Sequence, residues 1–123
     1  MVSVPGFLLR RLYVKGSLCN TDHGFQFQLR NQLGSGYARR LLPITVDGQP
    51  APLEQAFFTS GAVTTPFPSV SPESPFTLVM NRTVTVAVAG VTLSPGPHKI
   101  GMGFEVQGLG TLSFDFIDTV PDG

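Results

Sequence analysis

The residues of this chain that could do chemistry are few and far apart: His23 beside Asp22, His98, Cys19, and the carboxylates Asp115 and Asp118. A histidine next to an aspartate could act as a general base held by its carboxylate. Asp22-His23-Gly24 also suits a hairpin connection, and a turn role is the reading adopted. His98 follows the Pro95-Gly96 turn and reads as a half-exposed strand residue. Neither histidine has a second ligand at metal spacing such as H-x-x-x-H or C-x-x-C. Cys19 lacks a C-x-x-C partner and reads as a small buried hydrophobe rather than a nucleophile. Asp115 and Asp118 could divide acid and base roles, but in an alternating strand around Phe116 they read as an outward-facing, solubilising pair. The sequence therefore offers no catalytic set, no cofactor-binding set and no metal ligands.

Other stretches carry weaker chemical signals. Gly101-x-Gly103 and Gly108-x-Gly110 have the spacing of a phosphate loop, yet no helix follows them, so bulges and turns are expected there. Tyr37, Arg39 and Arg40 follow a Gly-Ser-Gly turn at 34–36 and read as a solvated loop that could also meet an anion or a partner. Phe67, Val70 and Phe76 lie in AVTTPFPSVSPESPF (62–76), whose four prolines oppose pairing as a central strand. Their burial must come from folding back on the sheet or from another chain. Phe67, Val70, Phe76, Tyr37, Arg39 and Arg40 are accordingly the expected partner interface.

The elements that must position these residues are short. The 123 residues fit one domain over 1–123, and 14 Gly and 11 Pro along its whole length exclude any long helix. Segments between these breakers are rich in Val, Thr and Phe. GFQFQLRN (24–31) sets Phe25, Phe27 and Leu29 against Gln26, Gln28 and Arg30, the period of a strand with one wet face. RTVTVAVA (82–89) reads as a strand by its β-branched content. About His98–Val106 and TLSFDFIDTV (111–120) read as a hairpin. Strands are also expected over Phe7–Val14 and Leu41–Val46. Asp47-Gly48 suits a type I′ turn, and Pro50 and Pro52 place the return segment at a sheet edge or in a bulge. LEQAFF (53–58) suits a helical turn or a short edge strand, and 62–76 an extended loop. The fold class is all-β: an antiparallel β-sandwich of roughly seven or eight strands, jelly-roll or immunoglobulin-like.

Charge narrows the function. Eight Lys plus Arg balance eight Asp plus Glu, so there is no basic footprint for nucleic acid or an anionic membrane. Only 13% of residues are charged, about half the usual share, which points to a partner covering part of the surface. The single Cys19, the lack of a leader-like segment and the lack of any run near about 20 apolar residues indicate a cytoplasmic protein. The Asn81-Arg82-Thr83 sequon then has no consequence.

Taken in order, LYVKGSLCNTDHGFQFQLRN, ITVDGQP, LSPGPHKIGMGFEV and FDFIDTV resemble the small β subunit of bacterial C-glycoside deglycosidases. The resemblance implies a β-sandwich that binds a larger metal-dependent barrel subunit, in a complex that cleaves the carbon–carbon bond between a 3-oxo-sugar and its aglycone. It also implies that ligands and base belong to the large subunit, so no catalytic residue is carried over to this chain. The expected function is thus a non-catalytic accessory subunit, with a larger catalytic subunit or a copy of itself as partner. The alternatives are an independent carbohydrate-binding or homo-oligomeric module, for which the aromatic platform is poor, and a small β-barrel enzyme enclosing an apolar substrate. Short bacterial proteins of this look also carry enzyme names such as hydroxymethylglutaryl-CoA reductase, but the dinucleotide and catalytic features of such a reductase are not in the sequence.

Overall fold

Gly24–Arg30 is a strand, and Phe25, Phe27 and Leu29 are fully buried, as its alternation requires. A computed structural model describes residues 6–32, 36–106 and 108–121, and most of these lie in antiparallel strands. The first sheet runs β1 (Cys19–Asn20), β2 (Gly24–Arg30), β10 (Thr83–Ala89), β7 (Ala56–Ser60) and β8 (Val63–Pro66). The second runs β12 (Gly110–Val120), β11 (Gly96–Val106), β5 (Thr45–Val46) and β6 (Gln49–Pro50), with β4 (Arg40–Leu41) also paired to β11. β3 (Gly36–Ala38) and β9 (Phe76–Leu78) form a separate pair. The expected all-β, sandwich-like fold is observed, with more and shorter strands than the sequence suggested.

Register explains the core. Phe25, Phe27 and Leu29 of β2 stand opposite Val88, Val86 and Val84 of β10, and all six are buried. From the second sheet Ile100, Met102, Phe104, Leu112, Phe114, Phe116 and Val120 are buried in the same cluster. Phe27 and Phe116 meet edge-on across the layers, ring centres 5.2 Å apart, a favoured aromatic geometry.

Three expectations are corrected. Phe7–Val14 is not a strand: a helical turn, α1 (Gly6–Leu9), continues as a 3-10 turn over Arg10–Leu12. Leu9 and Leu12, three residues apart, are the positions it buries, which is helical rather than alternating spacing. Leu41–Val46 is split into β4 and β5, because Pro43 has no N–H to continue the ladder on β11. Part of 62–76 does pair: β8 is the edge strand of the first sheet, where the ring of Pro66 is tolerated. A 3-10 turn then folds Phe67–Ser69 inward.

The turn chemistry is closer to expectation. Asp47 and Gly48 have φ of 51° and 87°, the two positive values of a type I′ hairpin between β5 and β6. LEQAFF supplies both suggested forms, a 3-10 turn at Leu53–Gln55 and then β7. Gly34 and Ser35 of the expected Gly-Ser-Gly turn, and Gln107 of the last hairpin, lie outside the described residues.

Candidate functional site

His98 lies in β11, and the β5–β6 turn brings Asp47 to it across the β5–β11 pairing. Its Nδ1 is 2.7 Å from Asp47 Oδ2 and its Nε2 is 2.8 Å from the Ser94 carbonyl oxygen. Aspartate, histidine and serine are the residue types of a hydrolytic triad. Here, however, a carboxylate and a carbonyl both act only as acceptors. Both ring nitrogens thus face acceptors, an arrangement that favours the protonated ring; Nε2 also lies 3.2 Å from the Ser94 hydroxyl, with the donor set by the tautomer. The Asp47 hydrogen bond, followed by that to Ser94, raises the His98 pKa above 6.5. The Lys99 N–H donating to Asp47, followed by His98, lowers that of Asp47.

The consequence is a pH-dependent clamp between the hairpin and β11. A raised histidine value gives stabilisation that is complete below the unfolded pKa of about 6.5 and lost as pH rises through the folded value; the lowered Asp47 value gives stabilisation present above about 3.9 and lost as pH falls through its folded value. In urea titrations, His98→Ala is expected to destabilise more at about pH 5.5 than at about pH 9. A larger effect at the alkaline pH would mean that the neutral ring is the form held.

Tyr13 and Asp118 form a second polar cluster. The Tyr13 hydroxyl donates to Asp118 Oδ2 at 2.6 Å and accepts from the Leu18 N–H at 3.1 Å. Its ring stacks on Phe116 with centres 3.5 Å apart. Burial, then the hydrogen bond to Asp118, pushes its pKa up to about 12. Burial acts against ionisation of Asp118, but hydrogen bonds from Tyr13, Gly16 and Thr119 outweigh it and lower its pKa. A neutral phenol locked on a carboxylate fastens the N-terminal segment to β12. The pair expected to face outward is thus divided. Asp115 points to the outer face, whereas Asp118 shares the side of Phe116, because 116 and 118 have the same parity in β12.

Asp22 and His23 are exposed in the turn from β1 to β2, which is held by the Thr21 N–H to the Gly24 carbonyl and by the Thr21 hydroxyl accepting from the Gly24 N–H. Cys19 is half-buried rather than buried, since its register partner Gln26 is on the outer face of the sheet. Of the expected partner surface, Phe67, Val70 and Phe76 are only 1%, 8% and 2% exposed within the chain itself. They fill its own core, Phe67 and Phe76 against Phe58, and have no face to offer another protein. Tyr37, Arg39 and Arg40 are exposed, and both arginines form ion pairs with Glu105.

A groove of about 500 Å³ on the outer face of the second sheet was not anticipated. Gly101 and Gly103 of β11 form its floor with Ser113 and Asp115 of β12; Leu42, Pro43 and Thr45 wall one side and Gly6 and Arg10 the other. The glycines are regular strand positions, not bulges. A Cβ on Gly101 would lie 2.3 Å from Thr45 Oγ1, and one on Gly103 would lie 2.9 Å from Leu42 Cδ1, so bare backbone lets the β4–β5 segment cross close above. Asp115 joins two cations over this floor: Arg10 Nη2 at 3.3 Å and Lys99 Nζ at 3.7 Å. The sequence signal was Lys99-x-Gly101-x-Gly103, one charge followed by two missing side chains on one face. Among the described residues, no group of three or more His, Cys, Asp or Glu is placed to hold a metal ion. No helix among them is long and apolar enough to cross a membrane.

No curated protein matches the chain. The profile of the family described as hydroxymethylglutaryl-CoA reductase, N-terminal domain matches residues 8–121, from α1 almost to the end of the structure. That match overturns the resemblance to C-glycoside deglycosidase β subunits, and with it the expected place in a carbon–carbon lyase complex. The strand-and-turn motifs behind the resemblance reflect alternation and tight turns, which many sandwiches share. Matched over nearly all of its length, the chain belongs to the hydroxymethylglutaryl-CoA reductase N-terminal domain family.

Proposed function

We propose that this chain is a non-catalytic β-sandwich domain of a hydroxymethylglutaryl-CoA reductase-type protein, acting by binding beside a catalytic part rather than by turning over substrate itself. The family match over residues 8–121 carries this reading. The chemistry of the side chains supports it: His98 is held between Asp47 and Ser94, and Tyr13 and Asp118 are spent on each other. The residues do not fit a nicotinamide cofactor. Binding its pyrophosphate calls for a glycine-rich turn opening a helix, whereas Gly101 and Gly103 lie inside β11, and Gly108 and Gly110 belong to the β11–β12 hairpin. The partner is a larger catalytic polypeptide, on the same chain or another, with the exposed Tyr37 and Arg40 available to meet it. A cytoplasmic setting suits the reading, since a lone cysteine forms no internal disulfide.

The test has two arms. The purified chain, given hydroxymethylglutaryl-CoA and NADPH, is expected to consume no cofactor; turnover by the chain alone overturns the proposal. Mixed with a hydroxymethylglutaryl-CoA reductase catalytic domain from the same source, it is expected to co-sediment. Sedimentation only with copies of itself also counts against the proposal.

A further inference from the structure

His98 shares the inward parity of Ile100, Met102 and Phe104 in β11, and only 12% of its side chain is exposed. Asp47 approaches it from the β5–β6 hairpin, Ser94 from the turn between β10 and β11, and Asp118 stands opposite on β12. Asp118 is already engaged by the Tyr13 hydroxyl and by the Gly16 and Thr119 N–H groups, with Lys15 as a nearby cation. Lys99 occupies the other face of the sheet, where it pairs with Asp115. Asp47 is thus the carboxylate that His98 holds, through Nδ1.

Nε2 faces two atoms of one residue, the Ser94 carbonyl oxygen at 2.8 Å and the Ser94 hydroxyl at 3.2 Å. A carbonyl only accepts, so the first contact is a hydrogen bond only while Nε2 carries a proton. A neutral ring that keeps its proton on Nδ1, towards Asp47, offers a lone pair at Nε2: the carbonyl then repels it and the hydroxyl donates to it. The chain around Ser94 has the freedom to follow this exchange. Leu93 before it is fixed, its N–H and carbonyl both bound by the Asn20 side chain, and Gly96 after it is in register with Val120. Rotation of the Ser94 carbonyl is confined to the short piece between them, where Pro95 has a fixed φ and Gly96, at φ 114°, absorbs a compensating rotation that other residues resist.

We propose that His98 is a pH switch that trades one Ser94 partner for the other, the carbonyl when the ring is protonated and the hydroxyl when it is neutral, and thereby sets the position of the β10–β11 turn. Asp47 keeps its hydrogen bond in both states but loses the opposite charge in the neutral one, so the β5–β6 hairpin loosens as the turn shifts. The switch is independent of the proposed function, and it adds a movement of the turn to the clamp's loss of stabilisation.

The test is an NMR titration of the intact chain from about pH 5 to about pH 9, which spans the histidine range. The His98 ring and the Ser94 and Gly96 amides are expected to titrate with one shared midpoint, and two variants should move that midpoint in opposite directions. Ser94→Ala keeps the carbonyl but deletes the hydroxyl that holds the neutral ring, so it should raise the midpoint. Asp47→Asn removes the charge that holds the protonated ring, so it should lower it. A clamp without partner exchange would leave the midpoint unmoved in Ser94→Ala. Retained amide dispersion shows that each variant is folded, and the wild-type titration and Ser94→Ala decide the matter even where Asp47→Asn does not fold. The proposal is overturned if the Ser94 and Gly96 amides stay still while the ring titrates, if Ser94→Ala leaves the midpoint unchanged or lowers it, or if folded Asp47→Asn does not lower it.

Discussion

Replacing Phe27 by alanine is expected to lower the unfolding free energy by about 3–5 kcal/mol. The ring is fully buried, stands opposite Val86 on β10, and meets Phe116 and Tyr13 edge-on with centres 5.2 Å and 6.2 Å away. Its neighbours belong to two facing sheets and to the segment tied down by Tyr13, so no flexible loop can collapse into the space. The cavity term should therefore persist and place the cost in the upper half of that range. Urea denaturation of the two proteins measures it. A difference within about 0.5 kcal/mol would put this face of β2 on the outside and invalidate the register of the first sheet.

Gly24→Ala should cost about 3 kcal/mol although it adds only one methyl group. A Cβ at this position would lie 1.9 Å from the Val88 carbonyl oxygen and 3.0 Å from the Ala89 Cα, all backbone of β10. No rotamer change relieves such a contact, so β2 and β10 must part where their ladder begins. Gly36, where a Cβ meets nothing within 4 Å, supplies the control: Gly36→Ala should stay within about 0.5 kcal/mol. In thermal melts the first variant should lose about 10 °C and the second very little. Equal losses would rule out the backbone clash as the cause.

Legibility in the sequence followed the physics of each segment. β2 and β12 were readable because one buried face and one wet face force a period of two, β10 because its β-branched residues suit a strand, and Asp47-Gly48 because few residue pairs accept two positive φ values. The N-terminal FLLRRLYV has no clean period; only the burial of Leu9 and Leu12 against β12 decides for a helical turn, and that is tertiary information. Prolines misled over 62–76, since a proline that bars a central strand is harmless on an edge, where β8 lies. The ion clamp of His98 joins residues 47, 94 and 98, and the groove joins residues 6, 10, 42–45, 99–103 and 113–115. Such sites come from topology and leave only a faint local trace, here a lysine and two glycines at alternate positions.

The helical turn α1 also has a consequence for how the protein survives at high concentration. β12 is the outermost strand of the second sheet, and such a strand is a template on which a foreign strand can grow. The Asp115 carbonyl, which points away from β11, is occupied by Arg10 Nε, Gly6 lies over the Ser113 carbonyl, and the Asp118 carboxylate caps the Thr119 N–H. At the opposite edge, β6 is only two residues long and includes Pro50. A molecule without net charge has little electrostatic repulsion to keep its copies apart. Residues 6–12 therefore cover part of the open edge of β12, where an added strand would otherwise find free carbonyls.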